Sequence, residues 1–151
     1  MMVKDTQKSI FDFLPDNWKV DRIYDHLSAV VGGEWGEDPD ASNEGVEIPV
    51  IRVADIRDID VTSEELTIRQ VKESKLADRL VNKNTFLIEK SGGGEQKPVG
   101  RAVCVRAIDF PAICSNFMNK IDCRETADPS FIVYALHALY NRGVNGASIQ
   151  Q

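Results

Sequence analysis

The chain of 151 residues carries 18 basic and 24 acidic side chains, a formal charge of −6, with 42% apolar and 28% charged residues. This balance fits a single soluble globular domain, spanning 1–151, that buries its own core, and it excludes general disorder. No apolar run approaches the roughly 18 residues of a membrane-spanning helix, and the first fifteen residues lack the apolar stretch and small-residue cleavage site of a secretory signal.

The elements follow in chain order. Residues 1–14 suit a short helical arm using Ile10, Phe11, Phe13 and Leu14, closed by Pro15, and a turn at 14–18 leads into a short strand from Lys19 to Ile23. Residues 32–47, rich in glycine and acid and without periodicity, form a long loop. The run Ile48 to Val53 reads as a strand, with Pro49 placing it at a strand start or a sheet edge. Thr67–Val71 is a short strand, and Ser74 caps a brief helix burying Leu76, Ala77, Leu80 and Val81. The clearest strands are Thr85–Lys90 and Val99–Ile108, read as a hairpin around a long glycine loop, with Ile113–Ile121 a further strand. Asp128-Pro129 opens a helix carrying Ile132, Ala135, Leu136 and Leu139 on one face, with Arg142 in its last turn and Gly143 as its stop. A polar stretch, 144–151, completes the chain. The sum is a mixed α+β domain, a small twisted, mostly antiparallel sheet with short flanking helices.

Cys104, Cys114 and Cys123 are odd in number and lack CxxC spacing, and only His26 and His137 are available to complete a metal set. They are expected to be reduced thiols buried in strands, in a cytoplasmic protein.

Charge is distributed unevenly. Residues 1–68 hold 6 basic and 16 acidic side chains, net −10; residues 69–106 hold 9 and 4, net +5; residues 107–151 hold 3 and 4, net −1, and the three sum to −6. A local basic block on an acidic body can meet phosphates while the rest stays in solvent. Within that block, Glu89-Lys-Ser-Gly-Gly-Gly-Glu-Gln-Lys-Pro-Val-Gly-Arg101 stands out. Gly92, Gly93 and Gly94 allow close backbone approach. Lys90, Lys97 and Arg101 supply positive charge, and Ser91 and Gln96 supply neutral donors and acceptors suited to phosphates or base edges. The plain alternative is an ordinary surface turn. Strand follows strand here, and no Gly-Lys-Ser/Thr ends the run, so it is neither a dinucleotide fingerprint nor a Walker loop.

Two further stretches carry the right chemistry. Asn116, within Ser115-Asn-Phe-Met-Asn119, can pair with adenine or satisfy a turn. Arg142 and Asn145 follow the last helix, where a cation is also favoured by the helix dipole alone. No catalytic triad, metal site or cofactor fingerprint is present. Glu89 and Lys90 with an acid from Glu34, Glu37, Asp38 or Asp40 leave open a small metal-dependent nuclease or hydrolase, and an interaction remnant that no longer binds DNA is a blander option.

Taken in order, Leu14-Pro-Asp-Asn-Trp-Lys-Val20, Ile48-Pro-Val-Ile-Arg-Val-Ala-Asp-Ile56, Leu87-Ile-Glu-Lys-Ser-Gly-Gly-Gly94 with Pro98-Val-Gly-Arg101, Ile113-Cys-Ser-Asn-Phe-Met118 and Val144-Asn-Gly-Ala-Ser-Ile-Gln-Gln151 resemble the target-recognition domain of type I restriction–modification specificity subunits. The resemblance implies a non-catalytic mixed α/β module whose loops enter the major groove over half of a bipartite site in double-stranded DNA. The implied DNA-facing residues are Lys90, Ser91, Gly92, Gly93, Gly94, Gln96, Lys97 and Arg101 of the glycine loop with Arg142 and Asn145 after the helix, and Asn116 joins the expected DNA-binding set on its own chemistry. The implied partners are methyltransferase and restriction subunits and a second recognition domain supplied in trans. S-adenosylmethionine and ATP chemistry belong to those partners, so no cofactor is expected on this chain. Asn82-Lys-Asn-Thr85 departs from the family's Gly-Asp turn, and 144–151 reads as a shortened lead-in to a spacer helix.

Overall fold

The computed structural model describes residues 13–40, 44–95 and 97–143. Among these residues nine strands divide between two sheets: β1 (Leu27–Gly32), β2 (Val46–Ile51), β3 (Ile56–Arg57), β4 (Asp60–Val61), β5 (Thr67–Val71), β6 (Thr85–Glu89), β7 (Ala102–Cys104), β8 (Ile113–Cys114) and β9 (Met118–Cys123). The larger sheet has the order β1-β9-β6-β7-β4-β3, and the smaller one β5-β2-β8. Helix α1 (Pro129–Asn141) follows the last strand.

Alternation along β6 and β7 builds the layers. Phe86, Ala102 and Cys104 pack with Ile121, Cys123 and the buried Ile132 and Val133 of α1. Leu87, Val103 and Met118 pack with Ile51 and Cys114 of the small sheet. The large sheet is thus the middle layer, as period-two patterning requires of a sheet covered on both faces. A third cluster, Ile48, Val50, Val71, Leu76 and Ile113, lies in the small sheet and is flanked by Trp35 and Leu80.

The mixed α/β class agrees with expectation, but its details differ. There are two sheets where one was expected, and each carries a parallel pair, β4 with β7 and β2 with β8. Among the described residues α1 is the one α-helix, and Ile23–His26, Val53–Asp55 and Glu73–Lys75 are 3-10 turns. The segment after Ser74 is therefore turns around buried Leu76, not a helix. Lys19–Arg22 joins no sheet, while β1, unassigned from sequence, pairs with β9. Pro49 sits inside the central strand of the small sheet. It faces Ile68 of β5, while β8 pairs with β2 only at Val50 and Ile51, so on that flank Pro49 lies effectively at an edge. The expected strand 99–108 shrinks to three residues because Gly100 turns the backbone at φ +103° and a turn follows Val105. The expected strand 113–121 is split by a turn at Asn116-Phe117, closed by Met118 N–H to Ser115 O at 3.0 Å, as the chain crosses from small sheet to large. The proposed N-terminal arm, apart from Phe13 and Leu14, and the stretch 144–151 lie outside the described residues.

The helix signals hold. Asp128 accepts from Ser130 N–H at 2.8 Å and from Phe131 N–H at 3.4 Å, with Pro129 in the first turn. Gly143 takes φ +75° after the C-cap Arg142. Cys104, Cys114 and Cys123 are buried free thiols on β7, β8 and β9. Burial pushes Cys114 up to about 12 and Cys123 up to about 11. No helix among the described residues is long and apolar enough to cross a membrane.

Candidate nucleic-acid interface

The β6–β7 hairpin rises to a built tip. Its ladder continues past the strands through Glu89 N–H to Arg101 O (3.0 Å) and Gly100 N–H to Glu89 O (2.8 Å). At the top, Gly94 and Lys97 exchange two backbone hydrogen bonds of 2.9 and 3.0 Å. The three glycines differ in role. Gly92 takes φ +89°. A Cβ on Gly93 would lie 2.6 Å from Val99 N and 2.9 Å from Lys97 O, so the two arms meet there only because a hydrogen stands in its place. Gly94 has open space around it.

Two neighbours brace the loop. Lys90 N–H and Ser91 N–H both donate to Phe117 O, at 3.0 and 3.3 Å, which ties the hairpin to the Asn116-Phe117 turn. Tyr140 of α1 donates its hydroxyl to Pro98 O at 2.6 Å. Burial, and then the nearby charge of Glu89, raises the Tyr140 phenol above its ordinary value.

The structure divides the basic block. Arg69 pairs with Asp38, Lys75 with Glu34 (2.7 Å), Arg101 with Glu89 (3.4 Å) and Arg106 with Asp60 (2.7 Å). Arg79 donates to the carbonyls of Gly32 and Lys75. The bond from Lys75 holds the Glu34 carboxyl below its usual range. Among the described residues Lys72, Lys83, Lys90 and Lys97 pair with no carboxylate. The free positive charge of the hairpin therefore sits on Lys90 and Lys97, both exposed. Arg101, expected to face DNA, is turned to the buried Glu89.

Of the sequence-derived set, Lys90, Ser91, Gly92, Gly93, Gly94, Lys97 and Arg101 share the hairpin, and Asn116 joins them through the Phe117 carbonyl. Arg142 caps α1 two residues beyond the Tyr140 anchor. Gln96 and Asn145 lie outside the described residues. Of the acids invoked for a nuclease, Glu89 pairs with Arg101, Glu34 with Lys75 and Asp38 with Arg69.

Arg52 and Trp35 escaped the sequence reading. Both line a cleft of about 420 Å³ that also takes in Ser91, Gly92, Asn116 and Phe117. The Trp35 ring lies beneath the Arg69 guanidinium, 4.7 Å from the ring centre. Phe117 is 48% exposed. The one advance sign of Arg52 was an acid three residues on, Asp55, at the turn that ends the strand.

No protein-family model matches the sequence, and no curated protein matches it. Among solved structures, the chain is similar to the crystal structure of an HsdS subunit from Thermoanaerobacter tengcongensis, with a TM-score of 0.59 and 18% identity over 91% of this chain and 31% of that one. The likeness is one of fold, and the chain spans about a third of that neighbour's length.

Proposed function

We propose that this chain is a sequence-reading module for double-stranded DNA, the target-recognition part of a type I restriction–modification specificity subunit. The hairpin tip carries this reading: Lys90 and Lys97, which pair with no carboxylate among the described residues, flank exposed Gly92, Gly93 and Gly94, and the Asn116 turn is fastened alongside. Backbone amides and lysines of this kind suit phosphate oxygens, and a side-chain amide beside them suits a base edge. The ordered motif resemblance and the fold-level likeness to an HsdS subunit, a type I specificity subunit, support the same reading. Arg142 extends the surface at the end of α1, and Gln96 and Asn145 are further contacts proposed from the sequence alone. The partners are methyltransferase and restriction subunits, with a second recognition domain in trans, and the module itself uses no cofactor.

The test is duplex affinity as a function of salt. Wild-type binding falls steeply as salt rises, and K90Q and K97Q each flatten the log–log slope by about 0.9 per lost phosphate contact. An unchanged slope in both variants counts against the hairpin as the contact surface. Absence of binding at low salt points to an interaction role without DNA. Selection from a randomised duplex pool, with the chain fused to a dimerising helix, then gives the bases read.

A further inference from the structure

The guanidinium of Arg52 is held from behind. Asp55, 3% exposed, accepts the Arg52 backbone N–H at 2.7 Å, Nε at 3.1 Å and Nη2 at 2.7 Å. A guanidinium has five N–H donors. The carboxylate occupies the Nε–Nη2 side, which leaves the outer Nη1–Nη2 edge with two parallel donors, and the side chain is 38% accessible. Arg52 lines the same cleft as Ser91, Gly92 and Phe117. Among the described residues the Gly92 amide meets no acceptor. Most of the remaining wall is apolar, from Trp35, Val53 and Ala54.

We propose that Arg52 clamps one backbone phosphodiester of the bound duplex through two parallel N–H···O bonds, with the Gly92 amide and Ser91 hydroxyl as further donors and Asp55 as the positioning residue. The inference rests on the DNA-binding reading above. An anion that only accepts hydrogen bonds matches a donor set of this kind. Adenine and cytosine edges in the same place would bring donors of their own to apolar walls, which leaves the acceptor-only face of guanine as the competing ligand.

The experiment measures affinity across a salt series for wild type, R52K and the double variant R52Q/D55N, with urea melts to verify folding. The double variant removes both partners, so no lone carboxylate is left buried. R52K keeps the charge but loses the fork. It is expected to weaken binding about tenfold with the salt slope unchanged. R52Q/D55N is expected to flatten the slope by about 0.9 for duplexes of any sequence. Should the double variant fail to fold, R52K decides alone. Wild-type affinity and slope in a folded variant overturn the clamp. A changed base preference at one selected position also overturns it and assigns the edge to guanine O6 and N7. Wild type failing to bind any duplex at low salt overturns the DNA reading itself.

Discussion

Alanine at each of the three neighbouring glycines separates what holds the hairpin from what it meets. At Gly93 the added Cβ strikes backbone, Val99 N at 2.6 Å and Lys97 O at 2.9 Å, and neither atom can rotate away. Overpacking of this kind costs about 2 kcal/mol, or roughly 6 °C in Tm for a chain of this size. At Gly92 the space is easier, with the Phe117 ring edge at 3.3 Å, but φ +89° costs an L-residue about 1–2 kcal/mol. At Gly94 nothing lies within 4 Å and φ is not in the left-handed region, so G94A stays within about 0.5 kcal/mol of wild type. Urea and thermal denaturation followed by circular dichroism, with m-values compared, measure all three. G94A as costly as G93A, or a neutral G93A, refutes this account of the tip. Duplex affinity adds a second axis: G94A lowers affinity without lowering stability if backbone at the tip approaches DNA.

Other substitutions divide along the same line. R101M strands the buried Glu89 carboxylate and costs about 3 kcal/mol in a urea melt, whereas K97A leaves the melt unchanged. D128A removes the cap of α1 and costs about 1 kcal/mol. With Cys114 raised to about 12, the folded state keeps a proton that the unfolded state releases near 9; the stability this thiol contributes is complete below about pH 9 and is lost as pH climbs toward 12. Iodoacetamide at pH 8 should spare Cys114 until denaturant is added. Glu34 behaves in the opposite sense, its contribution present above the ordinary carboxylate pKa and lost as pH falls through the lowered value. Because Lys75 is half exposed, E34Q removes only about 0.5 kcal/mol of that acid-side dependence.

What was legible in the sequence was what local chemistry decides. Asp128-Pro129 and Gly143 mark α1 by capping rules, and the β-branched run at Thr85–Glu89 with the run to Cys104 gives the hairpin. What was not legible depended on distant partners. β1, Leu-Ser-Ala-Val-Val-Gly, has little polarity contrast and becomes a strand through β9, some ninety residues on. Pro49 argued for a strand start or an edge, yet β2 is the central strand of the small sheet, and the edge is only local because β8 covers just its far end. In the candidate site, residue type placed Lys90, Ser91 and the glycines together, because they are contiguous. It gave no means of telling Arg101 from Lys97, since the partner that engages Arg101 is fixed by strand register. Arg52 came to the same cleft from another sheet, a juxtaposition that no window along the chain contains.

The parallel pairing of β2 with β8 has a consequence for assembly. The small sheet is closed by segments far apart in the chain, with β3 to β7 threaded between Ile51 and Ile113. Neither half can complete that layer before the other arrives, so the ends must meet across a long, entropically costly closure. Such non-local wiring slows folding and gives all-or-none melting. A protease cut between Ile51 and Ile113 would release no self-sufficient lobe.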